Sequence, residues 1–366
     1  MNLHSNNSND TSPNLDGILF GSTPSPSTNL TGVNQTSGTG NEPSFAEDLI
    51  AASILLSTGL LGLVVYLLFI LAVLCTKEYR ENSYYLLAAV LGIYDCITLN
   101  GMICFAVPSV ILRAPLGGHW LNVGFGITLS FGWYAALPII CALAFNRYYC
   151  VCRRSTYKQN FALSRTKGII LVSVLLGLFY AGLASQECCN FLFHATDYAW
   201  AWPTENLGGY IINQVEIVLT CTVVSIATGC NVTVFVTYRK MHKSISTENS
   251  NENLKKEREF KLFIQFFVIV LYMTVFDVVF VVAPFIEPSK WFYLLITFMY
   301  IVQCSINGWV YFIMNKSIRK RIWAMLQKCR DQIIRRNVTV QLLHSNADTA
   351  AFQRRSSLKG NRSTIA

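Results

Sequence analysis

Leu49–Cys75 reads LIAASILLSTGLLGLVVYLLFILAVLC and contains no charged residue. About 20 mainly apolar residues in a helix cross a hydrocarbon core ~30 Å thick. The stretch therefore predicts a membrane span. Six further segments of the same kind follow, at about 83–112, 121–146, 168–186, 209–238, 261–285 and 291–314. Lipid offers no hydrogen-bond partner to an open backbone, so only helices or closed barrels span it. These runs are too long and too continuously apolar for barrel strands. The expected fold class is all-α, a seven-transmembrane helix bundle over 49–314.

The composition agrees. Of the 366 residues, 13% are charged and 52% hydrophobic, with a mean hydropathy of +0.40. A soluble chain of this length could not cover its surface with so few charges. Aromatic residues at 13% exclude disorder for most of it. The net charge of +9 is the excess of 29 Lys and Arg over 20 Asp and Glu, and all the basic residues but Arg113 and Lys290 fall in 76–82, in 147–167, in 239–261 and after 314. Residues 1–48 contain none. The positive-inside rule then places the N-terminus outside the cell and the C-terminus in the cytosol of a multi-pass plasma-membrane protein. Basic residues spaced by topology form no docking stripe, so no nucleic-acid partner is expected.

Residues 1–48, rich in Asn, Ser and Thr, are expected to be a disordered extracellular tail. It has no signal-peptide pattern, so the first span is expected to act as the signal-anchor. Four sequons there, at Asn6, Asn9, Asn29 and Asn34, are candidate glycosylation sites. After the seventh span, Lys316–Cys329 alternates basic residues with Ile318, Ile322, Trp323 and Leu326. That pattern predicts an amphipathic helix over 315–330 lying on the inner leaflet of the bilayer. The remainder, 331–366, reads as a disordered cytoplasmic tail. Arg354-Arg355 precede Ser356 and Ser357, which are candidate phosphorylation sites.

A charge inside a span is costly, which makes it a functional candidate. Asp95 lies mid-span in the second segment, where Asn100, Gln303 and Asn307 are in reach of a central polar network. Glu216 and Asp277 lie at similar depth in the fifth and sixth. Each is either a packing group facing neighbouring helices or one of a ligand-facing acid pair. Trp133 and Tyr134 stand about 20 Å along the third segment from Arg147 at helical rise. Phe280 is one turn beyond Asp277. Aromatic faces with a carboxylate suit a small cationic or hydrogen-bonding ligand. If the acids are protonated, a neutral odorant fits as well.

Cys104, Cys188 and Cys189 fall on the outer side, where a disulfide is expected, unless Cys104 is a buried thiol. No cysteine or histidine cluster has metal spacing, and no HExxH, GxSxG or phosphate loop appears. Neither an enzyme nor a bound metal or cofactor is expected.

Two motifs identify the class. The third span ends Leu143-Ala144-Phe145-Asn146-Arg147-Tyr148, and the seventh contains Asn307-Gly308-Trp309-Val310-Tyr311. In a chain of this topology they resemble the acidic-Arg-Tyr and Asn-Pro-x-x-Tyr motifs of rhodopsin-like G-protein-coupled receptors. Asp95 matches that family's single acid in the second helix. A closer resemblance is to the nematode chemoreceptors of serpentine receptor class x. Shared features are Asn146-Arg147-aromatic, Cys189-Asn190-Phe191 with Trp200 and Trp202, and the Lys255-Lys256-Glu257 entry toward Gln265.

The resemblance implies an extracellular ligand, either a small molecule or a short peptide, and a heterotrimeric G protein; phosphate on Ser356 and Ser357 would add charge for an arginine-rich partner such as an arrestin. The resemblance also implies that Arg147 contacts the G protein and Tyr311 moves with it. With Asn146 in place of an acid, Glu257 or Glu259 is the expected resting partner of Arg147. Several family features are missing. Leu63 stands in place of an Asn, Asn122 in place of the cysteine that staples the third helix to the outer loop, and Ala136 in place of a sodium-ligating Ser. The sixth helix has no Trp-x-Pro. The competing reading is a seven-helix transporter or channel without G-protein coupling. Against it stand the absence of repeats and of interrupted helices.

Overall fold

The uncharged run of the first span forms helix α1, Phe45–Leu74. The computed structural model describes residues 45–243, 250–283, 289–332 and 334–335, with the backbone alone for 241–243 and 250–263. Asn6, Asn9, Asn29 and Asn34 lie outside the described residues, as do Ser356 and Ser357. Six more helices of membrane-crossing length follow: α2 Ser83–Leu112, α3 His119–Cys152, α4 Leu163–Ala184, α5 Leu207–Lys243, α6 Ser250–Val282 and α7 Lys290–Met314. A further helix, α8, covers 316–332.

The apolar residues divide by face. On α1, Leu60, Leu61, Val64, Leu67 and Leu71 are exposed, whereas Tyr66, Phe69, Ala72 and Val73 are buried. On α4, Leu171, Val172, Leu175, Leu178 and Phe179 are exposed. In water such faces would be a large liability; in a bilayer they meet the acyl chains. The chain is a multi-pass membrane protein. Helix α3 is the hub, packed on α2, α4 and α5, while α1 packs on α2 and α7.

Helix α2 contains a π-helical turn at Met102–Ala106, just before Pro108. Proline lacks a donor and crowds the carbonyl four residues back, and the wider turn absorbs that conflict. Helix α8 is started by Asn315, whose Oδ1 accepts the backbone N–H groups of Ser317 and Ile318 at 3.1 and 3.2 Å. This is the capping geometry that satisfies orphan donors. Ile318 and Ile322 are buried, while Trp323 and Leu326 are exposed, so α8 presents an amphipathic surface.

Between α4 and α5 a hairpin folds onto the bundle. Strand β1, Leu192–His194, pairs antiparallel with β2, Ala199–Ala201, placing Phe193 opposite Trp200. Asn122 at the start of α3 grips it: its Nδ2 donates to the Phe193 carbonyl at 3.0 Å, and its Oδ1 accepts from the Phe193 N–H at 2.9 Å. Gly126, one turn along, leaves room for the Phe191 carbonyl, which any Cβ would strike. Asn122 thus supplies a hydrogen-bonded staple between α3 and the hairpin.

Replacing Asn122 by Asp keeps the size but turns an acceptor toward the Phe193 carbonyl. The expected loss is about 2 kcal/mol, read as a lower apparent melting temperature in detergent micelles. An unchanged melting curve would mean that the hairpin is held elsewhere.

Candidate functional site

At the α3 end remote from the hairpin, the three motif residues have different surroundings. Asn146 is buried and donates to the Tyr157 hydroxyl at 3.4 Å. Tyr148 is half-buried, edge-on to Tyr149. Arg147 is 8% exposed, with its guanidinium carbon 3.4 Å above the Tyr84 ring of α2. The Tyr84 hydroxyl lies 2.9 Å from the Tyr311 hydroxyl, and Tyr311 stacks on Phe69 at 4.7 Å. The structure therefore joins Arg147 and Tyr311 through Tyr84. The partner it gives Arg147 is an aromatic face; the side chains of Glu257 and Glu259 lie outside the described residues. Tyr84 escapes sequence reasoning because nothing along the chain shows which residue of α2 faces Arg147.

One layer further in, Asp95 accepts from the Tyr66 hydroxyl at 2.6 Å and from Asn307 Nδ2 at 3.5 Å. Tyr66 lies one turn beyond Gly62, and Gly62 allows α1 to approach Ser305 of α7. The first helix thus contributes a phenol to the network. Asn100, expected in the network, is exposed and accepts instead from the Cys104 thiol at 3.4 Å. Gln303 is buried, but its Oε1 has no hydrogen-bond partner among the described residues.

Toward the hairpin the expected ligand residues lie around a second aromatic cluster. Tyr134 is fully buried and stacked on Tyr180 of α4 at 3.6 Å. Trp133 meets Tyr300 of α7 edge-on at 5.4 Å, and Tyr300 stacks with Phe276 of α6 at 6.1 Å. Phe280 lies 6.2 Å from Phe276. Glu216 accepts from the Trp202 indole at 2.6 Å, with Tyr134 beside it. Asp277 is buried near Cys221 of α5, and its Oδ2 has no hydrogen-bond partner among the described residues. The two acids therefore have separate surroundings. Tyr300, which touches both α3 and α6, is the residue that the sequence did not single out. It sits in an apolar run with no local signal.

Phe191, Trp200 and Trp202 form the hairpin's underside, with Phe191 4.7 Å from Trp202 and 5.6 Å from Trp200. Around the hairpin tip lies a charged clasp. Asp48 is 3% exposed and accepts from Arg113 Nε at 2.6 Å and from the Tyr198 hydroxyl. Lys290 pairs with Glu47. The helix thus begins four residues earlier than expected, and Glu47 and Asp48 form its first turn, where acids suit the helix dipole. Tyr198 has φ of 57°, a strained value for a non-glycine residue. Its hydroxyl is held by Asp48, and its carbonyl accepts from Thr297 at 2.7 Å. Burial, then the Asp48 carboxylate, pushes its phenol above the ordinary tyrosine range, so it remains a donor.

The cysteines correct one expectation. Cys188 and Cys189 are bonded to each other, and Cys104 is an exposed free thiol. Cys104 lies within the π-helical turn, and its thiol donates to Asn100 Oδ1 of the same helix at 3.4 Å. No cluster of His, Cys, Asp and Glu suited to a metal occurs among the described residues.

Comparison with known proteins follows the same lines. The family model of the serpentine type 7TM GPCR chemoreceptor Srx matches residues 56–315. No curated protein matches the sequence. Among solved structures, squid rhodopsin superposes with a TM-score of 0.64 at 14% identity, covering 79% of this chain and 88% of that one. At that identity the likeness is one of fold.

Proposed function

The chain belongs to the Srx family of serpentine seven-transmembrane GPCR chemoreceptors, and from that premise we propose where it binds its ligand and its G protein. The hairpin end faces the exterior and the Arg147 end the cytosol, a reading supported by the distribution of basic residues. A small cationic or hydrogen-bonding ligand occupies the aromatic cluster of Trp133, Tyr134, Glu216, Tyr300 and Phe276, with Asp277 and Phe280 along α6. Binding shifts a two-state bundle. The Asp95–Tyr66–Asn307 network couples that shift to Arg147 and Tyr311, where the heterotrimeric G protein docks. Phosphorylated Ser356 and Ser357 would supply charge for an arrestin, and the Asn6, Asn9, Asn29 and Asn34 sequons would carry glycans.

The observation that carries the ligand site is the meeting at Tyr300. Side chains from α3 and α6 converge on it, and Glu216 of α5 lies within electrostatic reach. Inward movements of α5 and α6 about one ligand would therefore register on α3 and α7. The test is a cell-based screen for an agonist, followed by Glu216→Gln and Asp277→Asn at matched surface expression. Loss of a charge-assisted hydrogen bond predicts about a ten-fold loss of potency in at least one of them. Unchanged potency in both would make the acids structural and place the ligand elsewhere.

A further inference from the structure

We propose that Tyr84 holds the receptor silent by capturing the Arg147 guanidinium on its ring face. This rests on the reading of Arg147 as the G-protein contact. An arginine that is 8% exposed is not available to a docking partner. It must leave the Tyr84 ring, 3.4 Å from its guanidinium carbon, before it can be used. Asn146 offers no neighbouring charge to compete for it and is itself turned to Tyr157.

The capture is incomplete in an informative way. Arg147 Nε and Nη2 are buried without a hydrogen-bond acceptor among the described residues. The aromatic face satisfies the charge but not these donors. An arriving carbonyl or carboxylate offers what the ring cannot, so the guanidinium is held firmly enough to be silent and poorly enough to be displaced. The ring itself is aimed. Its hydroxyl is 2.9 Å from that of Tyr311, and Tyr85 lies edge-on at 5.4 Å. A movement of α7 that carries Tyr311 away removes one of the two contacts that orient Tyr84, the Tyr85 edge being the other, and so weakens the seat of Arg147 without abolishing it. Tyr84 is thus a positioning residue acting through Arg147.

The experiment needs no agonist. Tyr84 is replaced by Phe and then by phenylalanines of increasing fluorination, which drain the negative ring face while keeping shape and volume. Basal nucleotide exchange on a panel of heterotrimeric G proteins is read in membranes at matched receptor density. Exchange should climb with fluorine number, reaching on the order of ten-fold above the Phe receptor for the fully fluorinated ring. The rise should vanish when Arg147→Ala is added. A flat series with every G protein overturns the role of Tyr84 and leaves the reading of Arg147 standing. A rise that persists without Arg147 overturns both. Since the ring's size is constant, a purely packing role would move receptor density and not the trend.

Discussion

Arg147→Ala is expected to abolish agonist-driven nucleotide exchange while the receptor still reaches the cell surface. The guanidinium lies under the Tyr84 ring, and two of its nitrogens have no hydrogen-bond acceptor among the described residues. Its removal therefore costs the resting bundle one buried cation–π contact, about 2 kcal/mol. A docked G protein loses far more. Truncating a buried, hydrogen-bonded charge at an interface typically costs about 2–5 kcal/mol, roughly 30-fold or more in affinity. Lys in its place should restore little, because a point charge cannot reproduce the planar fork. The measurement is exchange at saturating agonist, with surface density counted separately. Normal exchange in the Ala receptor would move the coupling site away from Arg147.

Asp48→Ala is expected to be the most destabilising single change at the hairpin end. Asp48 is almost fully buried, and its two oxygens accept from different elements, Arg113 at the end of α2 and Tyr198 at the hairpin tip. Losing it leaves the buried Tyr198 hydroxyl without an acceptor and releases a residue held at a positive φ. One orphaned buried donor and one broken part-buried ion pair together cost about 3 kcal/mol. Lys290→Ala breaks the Lys290–Glu47 pair, whose side chains are 25% and 38% exposed. Such a pair contributes up to about 1 kcal/mol. Apparent melting temperature in detergent should therefore fall clearly for Asp48→Ala and barely for Lys290→Ala. Exchanging the charges, Asp48→Arg with Arg113→Asp, should recover part of the first loss. Equal effects of Asp48→Ala and Lys290→Ala would show that the clasp is a surface feature.

The number and course of the spans were legible in the sequence because hydropathy is local. Each run of apolar residues reports its own burial in lipid, whatever its neighbours do. The amphipathic pattern of 316–329 was legible for the same reason, and so was the isolation of Asp95, a charge that lipid would reject. Arg147 and Tyr311 could be singled out because their motifs are contiguous. What the sequence could not supply was the third residue in each arrangement. Tyr84 stands between Arg147 and Tyr311, Tyr66 binds Asp95, and Tyr300 joins Trp133 to Phe276. All three are defined by which faces of two or three helices meet, and that depends on helix rotation and on close approaches such as Gly62 against Ser305. Cys104 shows the same limit from the other side. Its depth along α2 was inferred from spacing, but only the structure shows its thiol exposed and bonded to Asn100 rather than to another cysteine. The sequence by itself determined a seven-span bundle with its charges at the ends and a few acids inside. The tertiary structure alone decided which aromatic rings those charged and polar groups lean on, because contact between helices is a property of packing and not of any one segment.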